Sequence, residues 1–380
     1  MDTQLTLRDW SKLSDLTLDL IFRKLSSVSD CLCFSAVCKP WFFFVSNNYD
    51  ALQQRINSSS IEEMPMLMIF ISTNSGNLYS VTKGKIVSDL ELPLPSTKIC
   101  CGSSHGWLAF QQSDSLAIHL INPFSSETIG LPSPHDPVDK VILSKNPSTN
   151  PYDFEVVATF KSGVWPHRLA ILKPGSNAWV FTPHLDISPD HIHDVIYYDD
   201  RYYVVTYRGS VLSLDKTTLD FKVINGETLA MYSDIPTKFY LVKTTTNEFL
   251  MVQISNRCEI LSDEPTSVMI SKLVVSQTTQ EYMFAELDDL GDEALFLCKH
   301  GSMSVSASKF SGCKASSVYY IDVMVKSIGI FVMDLIHFED GNFHNLFSFE
   351  TANLFDDLNM PPVLWIIPTP KFTSTSLRHG

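Results

Sequence analysis

Short apolar runs follow one another from residue 66 onward, with clusters of Gly, Pro, Asn, Asp and Ser between them. No stretch of about 10 to 15 residues with a helical period intervenes. That pattern excludes a parallel sheet assembled from strand–helix–strand units. Runs such as 66–71, 116–121, 154–160, 202–207, 249–254, 294–298 and 343–347 read as strands, about twenty in all. Tyr198-Asp199-Asp200-Arg201 and Asp340-Gly341 stand where two-residue hairpin loops belong, because Asp and Gly tolerate the positive φ of such loops. Neighbouring strands are therefore expected to be antiparallel. One open sheet of that size would curl or expose its edges, so the workable closures are a propeller or paired sandwiches.

Weak internal recurrence favours the propeller. Gly106-Trp107-Leu108, then Leu120-Ile121-Asn122-Pro123-Phe124, then Ile129-Gly130-Leu131-Pro132 describe one blade, with Trp107 on its inner strand. Residues 194–198, 201–207 and 209–214 describe a second blade, and 291–298 with 302–306 a third. At about 40 to 50 residues per four-stranded blade, residues 64–370 suit about six blades.

The amino-terminal region has a different texture. Leu18, Ile21, Phe22 and Leu25 fall at i, i+3, i+4 and i+7, and Phe34, Val37, Cys38 and Trp41 repeat the spacing. Ser14-Asp15 and Ser29-Asp30 supply N-caps with a negative charge in the first turn, and Ser26-Ser27 breaks the run between them. Pro40, lacking a backbone donor, is expected to end or kink the last helix. A unit of about 40 residues rarely buries enough surface to offset its backbone entropy, so these apolar stripes need a partner. The polar stretch 49–63, with Ser58-Ser59-Ser60, reads as a linker, and 371–380 as a tail.

Charge narrows the partner classes. Residues 1–60 carry six Lys/Arg and six Asp/Glu, leaving 22 against 36 in the remainder. An acidic body disfavours nucleic acid and anionic membrane surfaces. The first ten residues show no secretion signal, and no apolar run of about 18 residues is present to span a bilayer. Eight cysteines at irregular spacing then read as reduced thiols in a cytoplasmic or nuclear protein.

Cys31, Cys33 and Cys38 lack a fourth ligand and read as helix packing, and Cys100-Cys101 as strand or turn residues. His191 and His193 have no matched third ligand. The run Asp288, Asp289, Asp292, Glu293 lacks the alternating oxygens of a calcium loop and reads as a polar turn. Lys83-Gly84-Lys85 is no phosphate loop, and Asp199 with Asp200 needs no acid–base role. Trp107, Trp165, Trp179 and Tyr207 either fill space between blades or line a binding face, with filling favoured. Neither catalysis, a cofactor nor a metal is expected.

Two resemblances cover nearly the whole chain. Leu13-Ser14, Ile21, Leu25, Asp30 and Val37-Cys38-Lys39-Pro40-Trp41 resemble the F-box, with Ser14 where that family usually carries proline. Gly106-Trp107-Leu108 with Asn122-Pro123-Phe124, His193 to Tyr198 with Tyr203, and Leu290-Gly291-Asp292-Glu293-Ala294-Leu295-Phe296-Leu297 resemble the KIB-type (DUF295) β-propeller found behind F-boxes in plants. Ser304-Val305-Ser306-Ala307, Gly312-Cys313-Lys314 with Val318-Tyr319-Tyr320, and Pro361-Pro362 with Trp365 extend the likeness. The expected fold is mainly β with a small α head: a three-helix F-box at 5–48, a linker at 49–63, and a roughly six-bladed propeller at 64–370.

The resemblance implies a non-catalytic substrate receptor of an SCF-type E3 ubiquitin ligase. The head would dock on a Skp-type adaptor, and through it on cullin and a RING protein, while the propeller holds a protein target whose binding residues the sequence does not reveal. Leu13, Ser14, Leu18, Ile21, Leu25, Val37 and Trp41 are expected at or directly beneath the adaptor surface. The alternatives are a propeller enzyme or ligand-binding protein with a helical cap, and an F-box protein acting without cullin.

Overall fold

The computed structural model describes residues 10–25, 31, 34–35, 37–48, 64–72, 75–92, 98–160, 169–183, 192–225, 237–255, 267–276, 281–325, 330–337, 343–350 and 363–369. The chain divides into two compact units, Met1–Met64 with Pro368–Gly380, and Pro65–Ile367.

The larger unit is six sheets, one per blade, each given from its innermost strand outward. Blade 1 is Val363–Ile366, Met66–Ser72, Ser75–Ser80 and Lys85–Glu91. Blade 2 is Lys98–Ser104, Trp107–Gln112, Ile118–Ile121 and Thr128–Leu131, and blade 3 is Val138–Leu143, Val156–Phe160, Leu169–Leu172 and Val180–Phe181. Blade 4 is Ile192–Tyr198, Arg201–Thr206, Val211–Leu214 and Phe221–Asn225, and blade 5 is Thr237–Lys243, Phe249–Ser255, Ser267–Val275 and Tyr282–Glu286. Blade 6 has five strands: Met303–Ser306, Glu293–Leu297, Ser317–Val325, Ile330–His337 and Phe343–Glu350. The ring closes because Met66, Leu67, Met68 and Ile69 pair antiparallel with Ile366, Trp365, Leu364 and Val363.

Central strands read as unbroken apolar runs because each is covered on both faces. In Val156–Phe160, Val156 and Ala158 pack with Trp107 and Trp179 toward blade 2, whereas Val157 packs with Val195 and Tyr202 toward blade 4. The Asp199-Asp200 turn is the tight hairpin its sequence predicts, with φ of 46° and 57° and Tyr198 opposite Arg201. Asp340-Gly341 lies outside the described residues.

Three features depart from the expected arrangement. Trp107 stands on the second strand of blade 2, not the innermost. The inner strand is Lys98–Ser104, a Cys-, Gly- and Ser-containing segment whose one strong β-former is Ile99. Gly102 explains part of that composition, since a Cβ there would lie 2.1 Å from the Val141 carbonyl oxygen of the adjacent inner strand. In blade 6 the chain lays down its second strand first, turns inward to Met303–Ser306, and crosses back so that Ser317–Val325 runs parallel to Glu293–Leu297. The acidic run organises that crossover. Asp292 accepts from Ser306 Oγ, Ser308 Oγ and Ser308 N at 2.5, 2.7 and 2.8 Å. Asp289 accepts from Ser316 Oγ at 2.5 Å and Gly291 N at 2.9 Å, and these bonds hold its carboxyl below the usual range.

In the smaller unit, Ser14 caps α1 (Asp15–Phe22), its Oγ accepting from Thr17 N at 3.3 Å. The helix is shorter than the apolar stripe: Lys24 N and Leu25 N bond to Ile21 O and Phe22 O, a tightened turn that leaves Leu25 beyond the helix. The second stripe is not one helix either. Phe34 is helical, Cys38 is extended with φ −164°, and α2 (Lys39–Asn47) begins after it with Pro40 in its first turn. Pro40 thus starts a helix rather than ending or kinking one, because a first-turn N–H has no intrahelical partner to lose. Cys31, Phe34 and Ser35 are helical between α1 and α2; Ser26, Ser27, Ser29, Asp30 and Cys33, and the linker 49–63, lie outside the described residues. The two apolar stripes still meet: the Phe34 and Trp41 rings are 4.4 Å apart, and Phe22 lies 5.6 Å from Phe34 and 5.9 Å from Phe44.

One buried ion pair joins three blades at the centre of the ring. Lys140 (blade 3) binds Asp194 (blade 4), with side chains 6% and 3% exposed, and Asp194 Oδ2 also accepts from Leu241 N of blade 5 at 2.9 Å. Lys140→Met would strand that carboxylate. It is expected to lower stability by about 3–5 kcal/mol, read as a fall in the urea midpoint at unchanged slope.

Candidate functional site

The helical unit exposes more apolar surface than its core requires. Leu18, Phe22, Cys31, Phe34, Trp41, Phe44 and Val45 form the core, with Leu13, Ile21, Leu25, Cys38 and Phe42 half-buried against it. Trp41 Nε1 donates to Trp10 O at 3.0 Å and so ties the start of the unit to α2. On the other side, Trp10, Leu16, Leu20, Val37 and Phe43 are exposed, Leu16 by 72%. Leu16 and Leu20 sit one turn apart on the face of α1 opposite Leu18 and Phe22, so this short helix is apolar on two sides, with Asp15 and Asp19 between them. A helix of that kind belongs inside something larger than itself.

The expected adaptor-facing residues therefore divide by depth. Val37 and Ser14 are exposed, Leu13, Ile21 and Leu25 are half-buried, and Leu18 and Trp41 lie in the core. Leu16, Leu20, Trp10 and Phe43 were not singled out by sequence, although the i, i+4 spacing of Leu16 and Leu20 was there to be read.

In the propeller, the turn at 298–302 between the two innermost strands of blade 6 reaches toward three other blades. The His300 carbonyl accepts from Ser103 N of blade 2 at 2.8 Å, and Lys299 Nζ lies 2.7 Å from Asp139 Oδ1 of blade 3. The Leu297 carbonyl beside it accepts from the Trp365 indole of blade 1 at 3.2 Å. Gly301 permits the approach, for a Cβ there would lie 2.6 Å from the Ser103 carbonyl oxygen. Burial pushes the His300 imidazole down to about 3, so it stays neutral. The turn occupies the middle of the ring, where a propeller enzyme would place its substrate.

Carboxylates near it, and Glu293 at the far end of the same hairpin, are engaged by the fold. Asp139 is held by Lys299 and Asp194 by Lys140, while Glu293 binds Thr245 N at 3.1 Å together with the Thr245 and Ser304 hydroxyls. His193 Nδ1 is 2.8 Å from the Phe239 carbonyl oxygen. Cys100 and Cys101 are buried strand residues, and burial pushes the Cys100 thiol up to about 12, far from a reactive thiolate. Trp107 and Trp179 fill the space between blades 2 and 3, whereas Tyr207 is 53% exposed. His191, Trp165, Pro361 and Pro362 lie outside the described residues. Among the described residues no helix is long and apolar enough to cross a membrane.

Residues 78–334 match the family model of the KIB1-4 β-propeller. An F-box/kelch-repeat protein of Arabidopsis thaliana is 25% identical over 343 residues, covering 87% of this chain and 88% of its own length. An F-box protein of the same plant is 22% identical over 200 residues, covering 51% of this chain and 48% of its own.

The two classes of apolar residue separate experimentally. Trp41→Ala should destabilise the helical unit by about 3–5 kcal/mol, whereas Leu20→Asp should change it by no more than about 0.5 kcal/mol. Hydrogen-exchange protection of α1 and α2 amides in the full chain reads both.

Proposed function

This chain belongs to the KIB1-4 β-propeller family, and from that premise we propose that it is the substrate-recognition subunit of an SCF-type E3 ubiquitin ligase. In this reading residues 5–48 are the F-box, 49–63 a linker, 64–370 the target-binding propeller and 371–380 a tail. The observation that carries it is the surplus of exposed apolar side chains on a unit too small to hide them. Leu16, Leu20 and Val37, with Ser14 and the half-buried Leu13, Ile21 and Leu25, form the adaptor contact. Leu18 and Trp41 support that surface from beneath. The Skp-type adaptor brings cullin and a RING protein, and the propeller holds an as yet unidentified protein target near the ubiquitin-loading machinery.

The rate gain then comes from effective concentration and orientation of a target lysine, with no catalytic group supplied by this chain. The engagement of Asp139 by Lys299, and of Asp194 by Lys140 and the Leu241 amide, supports this reading over a propeller enzyme, whose chemistry would need such carboxylates for its substrate. Work in the cytoplasm or nucleus fits cysteines that form no disulfide among the described residues.

Leu16→Asp combined with Leu20→Asp should abolish co-purification of a plant Skp-type adaptor with the full chain while leaving its melting temperature within about 2 °C. Full retention of adaptor binding by this folded double variant would reject the docking assignment. Recovery of the adaptor without cullin would instead identify a receptor acting outside the ligase.

A further inference from the structure

Between blades 3 and 4 the chain holds the ammonium group of one of its own lysines, Lys216, in an aromatic and acidic corner. Lys216 Nζ lies 5.3 Å from the ring centroid of Tyr197 and 6.0 Å from that of Tyr202, close enough for cation–π attraction to both. The same nitrogen is 3.1 Å from Glu155 Oε2 and 3.0 Å from Asp200 Oδ1. The two rings are 5.1 Å apart and tilted by 50°, so they form two walls of a corner. Each wall also fixes one carboxylate: Tyr197 OH donates to Asp200 and Tyr202 OH to Glu155, both at 2.7 Å. Tyr202 is fully buried and the Glu155 side chain is 14% exposed, whereas that of Asp200 is 83% exposed. The corner thus has a rigid floor and an open lip. Burial, then the bond to Asp200, push the Tyr197 hydroxyl up to about 12, so it remains a donor at neutral pH.

The turn that carries Lys216 does not depend on its side chain. Its turn, 215–220, is held by its own bonds: Asp215 Oδ1 accepts from Thr217 N at 2.8 Å and Thr218 N at 3.1 Å, and Leu219 N donates to the Asp215 carbonyl at 2.8 Å. Lys216 carries its charge on a flexible stem and can swing outward without moving that backbone. Two aromatic faces and two carboxylates would remain behind, a net negative aromatic corner.

We propose that Tyr197, Tyr202, Glu155 and Asp200 form a binding site for a lysine side chain of a protein target, and that Lys216 occupies it until the target displaces it. Two carboxylate oxygens within hydrogen-bond reach of the nitrogen favour a primary ammonium over a fully methylated one, which has no N–H to donate. The acidic balance beyond residue 60, 22 Lys/Arg against 36 Asp/Glu, favours a basic partner. This assignment rests on the reading of the propeller as the target-binding half. It adds the chemistry recognised there.

The test is a saturation-transfer NMR titration of the full chain with Nα-acetyl-lysine-methylamide, comparing wild type, Lys216→Ala, and Lys216→Ala with Tyr197→Ala. Removing the internal competitor is expected to tighten the lysine probe by about ten-fold or more. The added Tyr197→Ala should cancel the gain, and tetramethylammonium should bind Lys216→Ala more weakly than the lysine probe does. Lys216→Met, which keeps most of the packed stem, is run beside Lys216→Ala so that a loss of folding in one leaves the other to be read. No tightening in a folded Lys216 variant overturns the site, and preference for tetramethylammonium overturns the choice of unmethylated lysine. Neither outcome depends on the adaptor, so a failed cation site and a failed docking surface are told apart.

Discussion

Everything in the propeller rests on four residue pairs made across almost the whole chain. Val363–Ile366 lies against Met66–Ser72, and until it does, blade 1 lacks its inner strand and the ring is open. The closing strand is buried throughout, and its Trp365 packs edge-on against Phe296 at 4.9 Å while bonding to Leu297, both of blade 6. One strand therefore completes the first blade and binds it to the last. Each of blades 2 to 5 is a local meander, built from strands that follow one another in sequence, so the non-local part of the fold is concentrated at this seam.

Blade 6 departs from its neighbours, and the departure places chemistry-bearing residues where they look functional. Asp289, Asp292 and Glu293 crowd together because a parallel crossover leaves backbone and hydroxyl groups that need acceptors. His300 and Lys299 reach the middle of the ring because the chain turns inward there before it turns back. These residues are busy with structure. The aromatic corner around Lys216 differs from them, since its turn is already satisfied and its lip is open.

The β texture, the number of blades, the antiparallel hairpins and the small helical unit were legible in the sequence because they depend on period and turn chemistry. Asp199-Asp200 is an example: two residues able to take positive φ specify a turn by themselves. Lys98–Ser104 was not legible, because its place is set by how closely Val141 approaches Gly102, and no property of the segment alone records that. Lys85–Glu91, exposed at nearly every position on the outer edge of blade 1, carries no continuous apolar signal. In the helical unit the core aromatics were found by spacing, but Phe34 and Trp41 meet across a break at the extended Cys38, after which Pro40 sits in the first turn of α2. Leu16 and Leu20 also stand at i, i+4, but α1 has apolar residues on two opposite sides, and spacing alone does not say which side faces inward. The Lys216 corner draws its parts from four turns and strands, and no sequence motif links them.

The late position of the closing strand also shapes the birth of the protein. About 300 residues separate the two halves of the seam, and at a synthesis rate of roughly 5–20 residues per second the first blade waits roughly 15 to 60 s on the ribosome for its missing strand. Throughout that interval Met66–Ser72 offers an unpaired apolar edge to any passing chain. A nascent chain of this architecture is thus a natural client for chaperones before it can become a receptor for anything else.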